Sequence, residues 1–137
     1  MDCHRIKTII IQQDVPTIKK TDLPIVNQFH ADIEITKGGK GRGILYGILI
    51  NQIKLEKEFI HRYADLVFDF GLQGQIIASG IAKYPNPLDN FEEMQRSIPH
   101  TRSIIGGTHK FIGAKGQITS FRNENNTYTH KLEILRQ

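Results

Sequence analysis

Apolar residues recur at every second position over much of the chain, the period of strands that bury one face. From Ile25 to Thr36 the alternation is clean. Ile25, Asn27, Phe29, Ala31, Ile33 and Ile35 fall on one face, and Val26, Gln28, His30, Asp32 and Glu34 on the other. Residues 5–13 are rich in β-branched side chains and stop at Asp14 and Pro16, which predicts a first strand. Val15 to Leu23 is polar and is followed by Pro24, so it is expected to be a connector crossing the surface. Ile44–Ile53, Phe59–Phe70, Gln75–Ala82, Phe111–Phe121 and Thr127–Leu135 predict further strands. They are punctuated by the glycine-rich run 38–43, by Gly71–Gly74 and by the asparagine-rich run 122–126. Helical spacing is confined to Pro87–Ser97, where Leu88, Phe91 and Met94 recur, Asp89 can cap the first turn and Pro99 stops the run.

Ile104 to Phe121 organises the rest, with Gly106, Gly107, Gly113, Gly116 and Ala114 set among strand-forming residues. Glycines in a strand pattern mark bulges, corners or close backbone approach, and a sheet that closes on itself needs such corners. Seven or eight antiparallel strands without a repeat predict one domain over residues 1–137. Its expected form is an all-β, about eight-stranded up-and-down barrel with one short helix or flap.

Composition narrows the partners. The net charge is +4, but acids are interleaved with the basic residues, no tryptophan is present and the tyrosines do not form a stacking series. No nucleic-acid groove is expected. The apolar run at Ile9–Ile11 is far short of a membrane span, and Cys3 is the single cysteine, so a cytoplasmic protein without disulfides or membrane attachment is expected.

Candidate chemistry is sparse. Gly107 to Gly116 has the wrong spacing and ending for a phosphate loop, and the run 38–43 is not followed by a helix. No serine sits in a nucleophile elbow. His30, Asp32 and Glu34 share one strand face, roughly 6 to 7 Å from neighbour to neighbour. Three readings apply: metal ligands together with His100, His109 or His130, a solvated strand face, or the polar wall of an internal cavity. No metal is assigned. Arg62, Asn51, Tyr63, Tyr128 and His130 are further candidates for such a wall. Ala78, Gly80 and Ala82 form a face of small residues that leaves volume beside it for a ligand.

The segment G-G-T-H-K-F-I-G-A-K-G, from Gly106 to Gly116, resembles the G-G-T-G-K-F-x-G-A-x-G signature of the allene oxide cyclase and dirigent protein superfamily. Phe70–Gly80 and Arg42–Ile50 are similar to two other glycine-bearing stretches of that superfamily. His109 stands at its usual glycine position. The resemblance implies a calycin-like barrel, a homodimer or homotrimer, whose lumen binds an apolar small molecule, closest in type to small bacterial barrel cyclases. It puts Asp32 near a lumen asparagine that positions a water, and it puts Ile9, Ile11 and Leu49 where the superfamily has a glutamate, an asparagine and a cysteine. The fold thus carries over further than the chemistry.

The function expected from these readings is a cofactor-independent cyclase or isomerase that closes a ring in a flexible apolar substrate. Asp32, His30 and Arg62 are the expected catalytic residues. Glu34, Asn51, Phe68, Ala78, Tyr84, His109 and Tyr128 are the expected substrate contacts. The alternatives are a non-catalytic barrel that carries an apolar ligand and a structural domain with a filled lumen.

Overall fold

The computed structural model describes residues 5–20, 26–51, 59–85 and 99–136, the side chains at 20, 51, 59, 60, 84 and 85 excepted. The helix expected at Pro87–Ser97 lies outside the described residues. Nine strands follow in order: β1 (Ile6–Gln13), β2 (Thr17–Lys20), β3 (Val26–Lys37), β4 (Gly41–Asn51), β5 (Phe59–Asp69), β6 (Gln75–Pro85), β7 (His100–Gly107), β8 (Gly116–Arg122) and β9 (Tyr128–Leu135). All pairings are antiparallel, and the sheet order runs β1-β9-β8-β7-β6-β5-β4-β3-β2. β1 also pairs with β3, through Ile10–Gln13 and Ile33–Lys37, and this closes an eight-stranded barrel. β2 lies outside the closure on the other half of β3, with Thr17 opposite His30 and Lys20 opposite Asn27.

Three expectations are corrected. The connector Val15–Leu23 contains β2, which the ladder to β3 stabilises although its own sequence, Thr-Ile-Lys-Lys, lacks a marked strand pattern. β7 was not expected, because its inner face reads His100, Arg102, Ile104 and lacks an apolar series. The strand expected over Phe111–Phe121 begins only at Gly116, preceded by a single 3-10 turn at His109–Phe111. The other 3-10 turn, Gly71–Gln73, joins β5 to β6.

The glycine-rich stretch supplies a corner. Between Ile104 and Gly106 the register with β6 shifts by one residue, a bulge that leaves Ile105 58 % exposed. Gly116 allows β8 to cross β9 closely, since a Cβ there would lie 1.9 Å from the Glu133 carbonyl oxygen. His109 has a φ of 52°, a conformation glycine adopts most easily.

The inner face supplies the core: Ile9 and Ile11 of β1, Ile33 and Ile35 of β3, Leu45 of β4, Leu66 and Phe68 of β5, Ile76 of β6, Ile118 of β8 and Leu132 of β9. Burial of one such side chain stabilises by about 1.5–3 kcal/mol. Phe70 and Phe111 meet at 5.7 Å between ring centroids and, with Ile35 and Ile134, fill the end of the barrel near the two 3-10 turns. That end is solid. Space remains at the other.

Candidate functional site in the barrel lumen

At the other end, a cavity of about 430 Å³ bounded by described residues enters the lumen. It lies toward the end where β1, β4 and β8 finish and β3, β5, β7 and β9 begin, and every barrel strand but β6 contributes to its lining. Two walls differ in character. Phe29, Leu45, Leu49, Ala64 and Leu66, from β3, β4 and β5, make an apolar wall. Gln13, His100, Arg102, Ser120, Arg122, Tyr128 and His130, from β1, β7, β8 and β9, make a polar one.

Ladder register assembles the polar wall. His100 is opposite Ser120, Ser120 opposite His130, and His130 opposite Ile11, so these residues sit in one row across four strands. Ser120 Oγ lies 2.7 Å from His130 Nδ1, and His130 Nε2 lies 2.6 Å from Gln13 Oε1. An amide oxygen only accepts, so Nε2 carries the ring proton and Nδ1 accepts from the Ser120 hydroxyl. The ring is held from two further sides. Phe68 meets it edge-on at 5.2 Å, and Tyr128 stacks on it at 6.1 Å with 10° between planes.

Electrostatics make both histidines neutral at pH 7. Burial, and then the nearby Arg102 guanidinium, push His130 down to about 3. Burial, followed by Arg102 and Arg62, pushes His100 down to about 4, against the opposing effect of a hydrogen bond donated to the Lys83 backbone. Three arginines, Arg62, Arg102 and Arg122, thus line the cavity, and none of its described lining residues is acidic. Arg122 Nη2 donates to Asn126 Oδ1 at 2.8 Å at the rim.

Missing side chains shape the space. A Cβ on Gly47 would lie 2.2 Å from the Phe29 ring, so Gly47 is what lets that ring lie flat against β4. The volume beside Gly80 is occupied by Arg102, whose Nε donates to the Gly80 carbonyl at 3.4 Å. The small face of Ala78, Gly80 and Ala82 therefore accommodates an arginine rather than leaving ligand space open.

The chain shares its fold with pyocyanin demethylase. The TM-score is 0.59 at 18 % identity, over 94 % of this chain and 98 % of that chain. At that identity the likeness concerns the eight-stranded barrel alone. No protein-family model and no curated protein matches the sequence, so the glycine signature remains a resemblance to the allene oxide cyclase and dirigent superfamily.

Of the residues singled out from sequence, Arg62, Tyr128 and His130 line the cavity. Phe68 and Ala78 point inward but are wholly buried in the core and do not line it. The placement of Asp32, His30 and Glu34 in the lumen is corrected: the apolar face of β3 is the one turned inward, so all three are exposed outside. Glu34 pairs with Arg42 at 2.9 Å in solvent. His30 borders a groove of about 740 Å³ on the outer wall with Tyr46, Ile48 and Val67. That groove is larger than the lumen cavity, but the buried polar groups are in the lumen, which we take as the site. With His30 and Asp32 outside and His100 and His130 inside, the considered metal set does not assemble, and no cluster of three or more metal-binding side chains occurs among the described residues. His109 is exposed at the closed end, beside Gly74, away from the cavity. Tyr63 faces outward and donates to Asp65 at 2.9 Å. Asn51 and Tyr84 lie on β4 and β6, their side chains outside the described residues.

Gln13, His100, Arg102, Ser120 and Arg122 were missed as cavity residues. Their signal is a switch from apolar to polar along one inner face: Ile9-Ile11-Gln13 on β1, Ile118-Ser120-Arg122 on β8, and Ile134-Leu132-His130-Tyr128 on β9.

Proposed function

We propose that the chain is a small-molecule-processing barrel that acts within its lumen, as a cyclase or isomerase on a substrate with a largely apolar body. The observation that carries this reading is the two-walled cavity, in which an apolar wall faces a buried, hydrogen-bonded Gln13–His130–Ser120 series. Apolar pockets with a few convergent polar groups are the usual form of small-molecule sites. The fold likeness to a demethylase of pyocyanin is compatible with chemistry on a small molecule in such a barrel.

The chemistry follows from the histidines. A base near pKa 3 is mismatched to proton abstraction at pH 7 by about four units, which corresponds to about 5 kcal/mol. Strong general-base catalysis is therefore not what the site is tuned for. Holding reacting atoms together contributes about 7–11 kcal/mol in favourable cases. Guanidinium groups set in an apolar enclosure stabilise negative charge that develops on a substrate oxygen during ring closure or double-bond migration. Gln13 fixes the His130 tautomer, and the ring in turn orients the Ser120 hydroxyl.

The same weak bases favour a second reading, a barrel that carries its ligand unchanged. One experiment separates the two. Purified protein is incubated with a small-molecule extract from cells that lack it, and compounds are followed by mass and chromatographic retention. The catalytic reading expects one compound replaced by another of identical mass, and loss of this conversion in folded Arg62→Gln. Depletion of a compound into the protein-bound fraction, without a new product, would favour the carrier. Neither event would overturn both.

A further inference from the structure

Hydrogen bonds in the polar row of the lumen all run in one direction. The Ser120 hydroxyl donates to His130 Nδ1 at 2.7 Å, and His130 Nε2 donates to Gln13 Oε1 at 2.6 Å. Both nitrogens of the neutral ring and the hydroxyl proton of Ser120 are thereby committed, and Phe68 and Tyr128 flank the ring. Gln13 is the end of the series. It is only 3 % exposed and lines the cavity, with its carboxamide oxygen turned to His130. The carboxamide nitrogen carries two N–H groups and makes no hydrogen bond among the described residues. A donor so placed is satisfied only by what occupies the cavity, and leaving it without an acceptor is unfavourable.

Given the lumen as a small-molecule site, which is the reading proposed above, we infer that its ligand presents a carbonyl oxygen to the Gln13 carboxamide, with its apolar body against the β3–β5 wall. A carbonyl oxygen accepts through two lone pairs and donates nothing, which suits an outgoing N–H. The series behind Gln13 strengthens that donor, because in a low-dielectric interior each hydrogen bond polarises the next. Its direction is fixed while His130 stays neutral, which burial and Arg102 ensure at pH 7. His130 holds the carboxamide oxygen and so turns the nitrogen toward the lumen. A ligand that offers only a donor at this point sets N–H against N–H. A hydrocarbon of the same shape leaves the Gln13 nitrogen without an acceptor.

The test compares two probes of nearly the same shape, 2-acetylnaphthalene and 2-ethylnaphthalene, by equilibrium dialysis against the full chain at pH 7.5. Both are expected to bind. In Gln13→Glu the carboxylate still accepts from His130 but has no N–H, so 2-acetylnaphthalene should bind about tenfold more weakly while 2-ethylnaphthalene changes by about twofold or less. Gln13→Met, which adds no charge, should lower the ratio of the two affinities in the same direction. Circular dichroism verifies folding of both variants. In the unsubstituted protein, the Gln13 carboxamide proton resonances should move downfield with 2-acetylnaphthalene and not with 2-ethylnaphthalene. An affinity ratio unchanged in both folded variants, or Gln13 protons that respond alike to the two probes, overturns the carbonyl inference and leaves the lumen as a binding site. If neither probe binds, both readings fall.

Discussion

The two ends of the barrel are built from the same strands and differ in what those strands turn inward. At the closed end β9 contributes Leu132 and Ile134, β8 Ile118, β7 Ile104 and β5 Phe68, with Phe70 just beyond it. Two residues further along the same inner faces from Leu132, Ile118 and Ile104 stand His130, Ser120 and Arg102, and on β5, beyond Leu66 and Ala64, stands Arg62. Period-two alternation decides which face of a strand is buried. It does not decide whether the buried position fills a core or lines a site. That is set by distance along the strand, and it is read only when several strands change character at the same level.

The comparison breaks most visibly at the closed end. Phe68 has no exposed surface and supports His130 edge-on, so Phe68→Ala should cost about 3–5 kcal/mol in urea unfolding. Arg62→Gln at the mouth should cost far less, and similar losses at both would erase the distinction. Acid should act mainly at the cavity end. His130 is neutral when folded, with its pKa lowered from 6.5 to about 3, so the unfolded chain binds the extra proton as pH falls. Its contribution is fully present above pH 6.5 and is lost toward pH 3, at roughly 1.4 kcal/mol per pH unit between pH 6 and 4. A flat stability profile over that range would contradict the buried neutral ring.

Gly47→Ala sharpens the apolar wall. The new methyl collides with the Phe29 ring, which must shift at a cost of about 1–3 kcal/mol and so alter the cavity. Affinity for 2-naphthoate, taken as a small aromatic probe of the cavity, should fall several-fold, and unchanged affinity would show that Phe29 does not shape the site. The smallest effect belongs to the outside. Asp32→Ala should change stability by no more than about 0.5 kcal/mol and leave probe binding intact.

Much of the barrel was legible in the sequence. Alternation on β3 and β9, turns at Gly71 and residues 122–126, and the glycines of the 104–121 stretch placed most strands and the corner that closes them. β7 escaped because His100 and Arg102 occupy inward positions where a core strand has apolar residues. The site was misplaced for the same physical reason: polar residues clustered on one strand, His30, Asp32 and Glu34, were weighed above polar residues scattered one or two per strand. Only closure brings Gln13, a full 117 residues from His130 in the chain, within hydrogen-bond distance of it. Periodicity also could not show that the small face at Gly80 would be taken up by Arg102.

Histidine is present both inside the lumen, at His100 and His130, and outside it, at His30 and His109, which makes the ring nitrogens reporters for both sides of the wall. Nitrogen-15 spectra of histidine-labelled protein, recorded while 2-naphthoate is added, test the central claim most directly. The His100 and His130 resonances should shift in proportion to occupancy while those of His30 and His109 stay in place. Shifts confined to His30 or His109, with His100 and His130 unmoved, would put the ligand outside the barrel and contradict the lumen as the functional site.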